Sequence, residues 1–459
     1  MELNEIITLC IFILVYAMII TRTKLRNIPF WLIMFIGAIL VLGFGVISID
    51  SAIKSINIQV MAFLFGMFSI TSALEKSGVL NHVIRKILTK IIKINHILVI
   101  VVILSGFLAA FIVNDTAAII LISFAILISK QLGIKPSAIL VSIAIGINIG
   151  SVMTPIGSPQ NLLIASQSGI DMPFITFLSI LGPPTIINLF LSGLILHFYY
   201  KKNLYRISFS QEQELNYFNG SINYNNKKIE ESGIKSNLIR YSSTNKFAKI
   251  SIIVFLSTIG AIILSEVFKL IFNVVYLDIG TISLLGAASL YMFSKERISI
   301  LKSVDYSVLI FFIGMFIFAS ALWTSGLISD ILQIFPQISS SDTYNNLIYN
   351  NTIISAVSII LSQILSNVPF VATYSAYMIE NGFDRDDVYP WLMLAAASTV
   401  AGNLTIFGAA SNIIIVQSAE SRGVRAFTFL EFLKIGSAIT ALNIVVLYLF
   451  LMLYNSYNL

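Results

Sequence analysis

One cysteine, Cys10, excludes an internal disulfide, and three scattered histidines, His82, His96 and His197, have no metal-ligand spacing. Charge is scarce as well: 11% of the 459 residues are charged, against about 25% in a soluble domain. With 57% hydrophobic residues and a mean hydropathy of +0.91, a soluble globular domain is excluded and a polytopic all-α membrane protein is expected. The apolar runs contain no Ser/His pair, no paired aspartates and no His-Glu-x-x-His, so an enzyme is not expected. ATP-binding signatures are missing too, so energy is expected from an ion gradient unless a separate ATPase partner supplies it. The net charge of +6 does not point to nucleic acid, because Lys and Arg fall in short loops between apolar runs, where they orient a membrane protein.

Two acidic residues, Glu2 and Glu5, stand where a signal peptide would carry lysine or arginine, so the first apolar run is expected to stay as a span. Apolar runs at about 6–21, 28–48 and 57–75 alternate with the basic loops of Arg22, Lys24 and Arg26 and of Lys76 to Lys93. The positive-inside rule puts those loops in the cytoplasm and both chain termini outside, in a multi-pass plasma-membrane protein. A run near 97–129 is broken only at Val113-Asn114-Asp115-Thr116, and its second limb, Ala117 to Ser129, is about 20 Å long. That is too short to cross about 30 Å, so a re-entrant hairpin is expected over 95–130. A span near 173–199 and a polar cytoplasmic linker over 201–247 follow. Spans near 248–265, 277–294 and 306–325 come next, then a second hairpin over 347–382 interrupted at Ser366-Asn367-Val368-Pro369, and a last span near 428–453. Ten crossings and two hairpins are expected, with Asp50 and Glu266 near the water interface.

Two long runs cannot be simple helices. Pro136 to Ser168 would extend roughly 50 Å as one helix, yet it carries Gly150, Pro155, Gly157 and Pro159 with a row of side-chain oxygens. Its partner runs over 388–418 and is broken at 399–412. Unwound backbone is tolerated in a bilayer where protein buries it or where it lines a polar cavity, so non-helical stretches are expected within about 151–159 and 402–410. Freed carbonyls there suit a cation or an anion, and Asn161 and Asn412 are expected either to cap the second half-helices or to present amides to cargo.

The order of elements recurs in the two halves, 1–200 and 248–459, and some sequence recurs with it. Residues 66–78 and 314–326 share eight identities in thirteen positions; Asn114 answers to Asn367, and Thr154, Gly157 and Asn161 answer to Thr405, Gly408 and Asn412. Five spans per half is an odd number, so two inverted repeats are expected, the sequence pattern of an alternating-access transporter.

These residues resemble the ion transporter superfamily, within it the arsenite-efflux and sodium/proton-antiporter branch (ArsB/NhaD-like permeases), related to divalent-anion/sodium symporters. The motifs are Asn114-Asp115-Thr116-Ala117-Ala118, Thr154 through Asn161, Ser366-Asn367, and Gly402-Asn403-Leu404-Thr405 through Asn412. The resemblance implies an elevator-type transporter, commonly a homodimer, in which each hairpin tip and the following broken helix form half of a site. One half would comprise Asn114, Asp115, Thr116, Ser151, Thr154, Gly157, Ser158 and Asn161. The other would comprise Ser366, Asn367, Asn403, Thr405, Gly408, Ser411 and Asn412. The sequence departs from the Ser-Asn-Thr tips of the sodium-coupled symporters, since Val113 and Asp115 mark the first tip and Val368 the second.

Asp115 is the one acidic side chain placed deep in the membrane, where an ionised carboxylate costs about 2.5–3.5 kcal/mol on insertion scales. A proton or a bound cation relieves that cost, and competition between the two is a physical basis for antiport. The bland alternative is a turn cap satisfied by the Thr116 and Ala117 amides. Na+ near Asn114, Asp115 and Asn367, or H+, is the expected coupling ion. No lysine or arginine lies mid-membrane, which favours a small oxyacid or a cation over a dicarboxylate as cargo, with sodium/proton antiport as the alternative and a channel as a third reading.

Overall fold

The computed structural model describes residues 3–21, 28–79, 96–201, 246–272, 277–327, 332–340 and 344–458. Residues 202–245 of the linker expected over 201–247, the basic loop of Arg22, Lys24 and Arg26 beyond Thr21, and most of the basic stretch between Lys76 and Lys93 therefore lie outside the described residues. All regular structure among the described residues is helical.

The first half runs α1 (Leu3–Thr21), α2 (Phe30–Gly43), α3 (Ile49–Ser55), α4 (Ile58–Lys76), α5 (Ile97–Phe111), α6 (Asn114–Leu132), α7 (Pro136–Gly150), α8 (Pro159–Gln167), α9 (Pro173–Thr176) and α10 (Gly182–Tyr200). The second runs α11 (Lys246–Phe272), α12 (Ile279–Phe293), α13 (Arg297–Ser303), α14 (Tyr306–Thr324), α15 (Tyr344–Leu365), α16 (Asn367–Glu380), α17 (Val388–Val400), α18 (Ala410–Ser421) and α19 (Phe429–Asn458). Starts are set by side-chain caps where the chain leaves a loop: Asn57 accepts from the Val60 amide ahead of α4, and Asp278 from the Thr281 amide ahead of α12.

Packing is reciprocal between the halves. α2 lies against α14 and α4 against α12, while α5 runs along α7 and α15 along α17; the second hairpin limbs cross over, α6 onto α18 and α16 onto α8. Gly150 makes the α5–α7 approach possible, because a Cβ there would sit 2.1 Å from the Gly106 carbonyl oxygen. α7 with its following turn is 89% buried by protein, against 28% for 246–269, so α7 is central and α11 faces the surroundings. Two apolar clusters result: one gathers the first hairpin, α7 and the start of α19, the other joins α2, α4, α12 and α14 to the second hairpin and α17.

Six helical segments are long and apolar enough to cross a membrane, at 58–76, 136–153, 173–200, 246–269, 306–324 and 429–454. The multi-pass reading stands on these. Three expected spans are shorter: the apolar portions lie at Leu3–Met18, Trp31–Gly43 and Ile279–Phe293. The tenth, at 388–418, is split between α17 and α18. Glu266, expected near the water interface, is buried by protein: it is 6% exposed, and its two carboxylate oxygens accept from the Phe174 and Ile175 amides at 2.9 Å each. Those amides are free because they open a helix, and a buried carboxylate needs such donors.

The chain turns between α5 and α6 at Ile112–Val113, just ahead of the Asn114-Asp115 expected at the tip, and between α15 and α16 at Ser366. The first, however, has a longer second limb than expected. α6 continues past Ser129 to a left-handed cap at Gly133 (φ 63°), and its 19 residues reach about 28 Å. Shortness therefore argues for re-entry only in the second hairpin, whose α16 has 14 residues.

Candidate functional site

Both long helices unwind in the expected stretches. After α7 the chain makes a single 3-10 turn, Ser151–Met153, then Thr154 is extended (φ −140°, ψ 157°) and α8 restarts at Pro159. Ser158 caps α8, accepting from the Asn161 amide at 3.4 Å. After α17 come 3-10 turns at Ala401–Asn403 and Ile406–Gly408, with Thr405 extended (φ −132°, ψ 162°), before α18 begins at Ala410. Proline and glycine at the first break, and glycine and asparagine at the second, leave too few intrahelical bonds for a continuous helix.

The polar side chains in these breaks replace the lost ladder. Asn161 donates its Nδ2 hydrogens to the Ser151 carbonyl at 2.8 Å and the Thr154 carbonyl at 3.4 Å. Asn412 does the same to the Gly402 carbonyl at 2.7 Å and the Thr405 carbonyl at 3.2 Å. Neither asparagine is a cap. They are staples, and they occupy the carbonyls that the sequence left open for an ion. Thr154 Oγ1 accepts from the Gly157 amide at 3.1 Å and donates to the Ala110 carbonyl on the first hairpin. Thr405 Oγ1 accepts from the Gly408 amide at 3.2 Å and donates to Gln363 Oε1 on the second hairpin at 2.8 Å.

The two breaks are bonded to each other. Asn148 on α7 donates to Asn412 Oδ1 at 3.0 Å and Asn403 Oδ1 at 3.1 Å, and its own Oδ1 accepts from Ser411 at 3.0 Å. Reciprocally, Thr399 on α17 donates to Asn161 Oδ1 at 3.0 Å and accepts from Gln160 at 3.2 Å. Asn148 stands to Thr399 as Asn161 stands to Asn412, at one interval along the chain. All these groups are buried, so each bond holds its partner without competition from water.

The hairpin tips sit on these breaks. The Asn114 amide donates to the Gly157 carbonyl at 3.1 Å, and Asn114 Oδ1 accepts from the Asp115 amide at 2.9 Å. Asp115 is no turn cap. Its Oδ1 is buried without a hydrogen-bond partner, and the carboxylate of Asp305, in the turn before α14, acts on it through space. Thr116 is half-buried beside it. At the second tip, Ser366 is the one non-glycine residue with positive φ (63°) among those described. Asn367 Nδ2 lies against Gly402, where a Cβ would come within 3.3 Å of it, while Asn367 Oδ1 and Asn403 Nδ2 have no partner.

The structure thus gathers Asn114 with Gly157, Ser151 and Thr154 with Asn161, and Asn367 with Gly402, Asn403 and Asn412. Gln160, Asn148, Thr399 and Gln363 were not singled out from the sequence. Their signal was there: each is a polar residue in an otherwise apolar segment, and Asn148 and Thr399 open the two interrupted stretches.

Sequence comparison finds relatives over most of the chain. A family described as "Citrate transporter" (CitMHS) matches residues 16–384. The rice protein Silicon efflux transporter LSI3 (Oryza sativa subsp. japonica) is 26% identical over 424 residues, 84% of each chain. A 46 kDa membrane protein of Mycobacterium leprae is 27% identical over 96% of each chain, and the mouse P protein is 23% identical over 85% of this chain and 53% of its own. With the family match spanning most of its length, this chain belongs to the CitMHS citrate transporter family, within the ion transporter group of ArsB-like permeases, and is a membrane transporter.

Proposed function

We propose that the protein is a secondary active transporter that carries a small, weakly charged oxyacid through a site built from the two hairpin tips and the two helix breaks, coupled to a proton or sodium gradient. The observation that carries this reading is the cross-bonding of the breaks by Asn148 and Thr399, with one hairpin tip seated on each. Such a unit can move as one body. The reciprocal bonds, and the reciprocal packing of α2 on α14 and α4 on α12, support two inverted repeats and an elevator movement of the hairpins and breaks past those four helices.

The side-chain atoms left without partners at the tips fit the chemistry. Asp115 Oδ1 and Asn367 Oδ1 offer oxygen ligands to a hard cation, and Asp115 can instead take a proton; Asn403 Nδ2 offers a donor to an oxyacid oxygen. Among the described residues no lysine or arginine hydrogen-bonds into the breaks, so a citrate trianion would lack counter-charge there. The rice relative's name, a silicon efflux transporter, points the same way, toward a small uncharged or weakly charged oxyacid. Sodium/proton antiport is the second reading, favoured by the bare Asp115 oxygen. The remaining elements of the proposal are a plasma-membrane location with both termini outside and a homodimer.

The test is flux of silicate, arsenite and citrate into proteoliposomes under imposed proton or sodium gradients. Gradient-driven movement of a small oxyacid supports the reading. Citrate as the sole cargo, or sodium/proton exchange without any oxyacid, would overturn it.

A further inference from the structure

Buried polar atoms without hydrogen-bond partners are concentrated in the second hairpin. On α15 these are both amide atoms of Asn351 and the hydroxyls of Ser358 and Ser362, and on α16 the hydroxyl of Ser375; the two serines on α15, Asn351 and Ser375 are each 0% exposed. Asn351, Ser355, Ser358 and Ser362 follow the spacing that keeps side chains on one helix face. That face runs from the surface end of α15, where Tyr349 is 46% exposed, to the tip at Ser366, and Asn351 to Ser366 covers about 22 Å.

Small serines in membrane helices often serve only close packing, with the hydroxyl returned to a carbonyl of the same helix. Ser69, Ser105, Ser142 and Ser283 do that here, and so does Ser355 on α15, which donates to the Thr352 carbonyl at 2.9 Å and leaves its oxygen free to accept. Ser358 and Ser362 do not, and Asn351 is not a packing residue: leaving both its amide groups unpaired in a dry interior would carry the desolvation penalty of each with nothing to offset it. The first hairpin makes the contrast. At the interval that relates Asn114 to Asn367, the counterparts of Asn351, Ser355, Ser358 and Ser362 are Leu98, Val102, Ser105 and Ala109, and that of Ser375 is Ile122. One hairpin carries a seam of polar groups without partners; the other is apolar along that line except for Ser105, whose hydroxyl is returned to the Val101 carbonyl. α15 and α17, which lie along each other, contain no Asp, Glu, Lys or Arg, so nothing fixed would trap a proton or an ion on the way.

We propose that the Asn351–Ser355–Ser358–Ser362 face of α15 holds a chain of bridging water molecules that conducts the coupling proton between the surface end of that helix and the Ser366–Asn367 tip. Hydroxyls and an amide can each donate and accept, which is what a buried water needs to make its two to four bonds and what proton hopping along a file requires. The proton enters from bulk water at one end and leaves to the mid-membrane site at the other, with no change in the protein's own covalent bonds. Because the first hairpin lacks the seam, the route serves one face of the membrane only. The proton role rests on the transport reading above; the water chain does not.

Two measurements on the full chain separate these. In a Cys10→Ser background, Ser358→Cys and Ser362→Cys are challenged with Ag+, a cation small enough for a water file, followed by maleimide labelling of unreacted thiols after denaturation; Ser105→Cys and Ala109→Cys are the controls. The second-hairpin thiols are expected to react at least about tenfold faster. Equal rates overturn the water chain. In proteoliposomes, Asn351→Leu and Ser362→Ala, which copy the first hairpin, and the Ser358→Ala/Ser362→Ala pair, which removes both unpaired hydroxyls, are expected to insert normally and to lose at least about fivefold of proton-driven flux. Unchanged proton-driven flux in inserted variants overturns the proton route even if the thiols react. A wild type that moves no oxyacid on any gradient overturns the transport reading and leaves the Ag+ result to decide the water chain.

Discussion

Thr399 donates its hydroxyl hydrogen to Asn161 Oδ1 at 3.0 Å, joining residues 238 positions apart in the chain and closing one break onto the other. Thr399→Val keeps the shape and removes the bond, leaving Asn161 Oδ1 and Gln160 Nε2 short of a partner at a cost of about 1–3 kcal/mol. Thermal unfolding should fall by a few degrees and flux should drop several-fold, with Thr399→Ser restoring both. Asn148→Leu, which removes three bonds at once, should be the more severe variant.

For Asp115 the expectation concerns coupling. Asp115→Asn preserves size and leaves Asn114 Oδ1 bonded to the residue-115 amide, while removing the group that a proton or cation would neutralise. The variant should insert and fold, and its flux should no longer depend on the imposed gradient when followed in proteoliposomes across neutral pH. Full gradient dependence would show that the carboxylate is not the coupling group.

Close approach at the breaks gives a third expectation. A Cβ at Gly157 would lie 2.6 Å from the Ser151 carbonyl oxygen, and one at Gly408 would lie 2.9 Å from Gln363 Oε1 and 3.0 Å from the Ala401 carbonyl oxygen. Gly157→Leu and Gly408→Leu should insert in the membrane yet abolish uptake, since they add bulk without adding charge. Gly157 meets backbone and Gly408 meets a side chain that can move, so Gly157→Ala should be the worse of the two alanine variants.

Glu266 is a structural carboxylate. Glu266→Ala strips the acceptors from the Phe174 and Ile175 amides and should cost about 1–3 kcal/mol in a denaturation assay, while Glu266→Gln, with one acceptor left, should cost less. Close by, Lys269 Nζ donates to Asp171 Oδ1 at 2.8 Å and holds that carboxyl below the usual carboxylate range. A lowered folded value means the pair stabilises fully above the unfolded carboxylate value, near about pH 4, and that the gain is lost as pH falls through the folded value. With Asp171 62% exposed, screening keeps the gain to at most about 0.5 kcal/mol.

Much of this arrangement was legible from residues alone, because proline and glycine in an apolar run have local consequences. Pro155, Gly157 and Pro159 mark a break wherever the helix sits, and Asn114-Asp115 and Ser366-Asn367 mark turns in the same way. What stayed hidden depended on partners remote in sequence. Asn161 looks like a cap when only α8 is considered; that Ser158 already fills that place, and that Thr399 waits on another helix, emerges only from packing. Nothing near Glu266 in sequence announces that two amides of the first half need its oxygens. The length of α6 is hidden at both ends: the polar Asn114-Asp115-Thr116 reads as loop but forms the first helical turn, and past Ser129 the helix continues until Gly133 adopts a left-handed conformation.

The brevity of two packed helices bears on the lipid around them. α2 has 14 residues and α12 has 15, so each covers about 21–22 Å of a hydrocarbon layer about 30 Å thick. Their partners α14 and α4 have 19 residues each, about the thickness of the layer, so any mismatch is expected beside α2 and α12, where thinning of the layer would relieve it. The protein's turnover is therefore expected to respond to membrane thickness. In vesicles of increasing acyl-chain length its turnover should pass through a maximum at short chains, and the local thinning it imposes would draw neighbouring copies together in thick membranes.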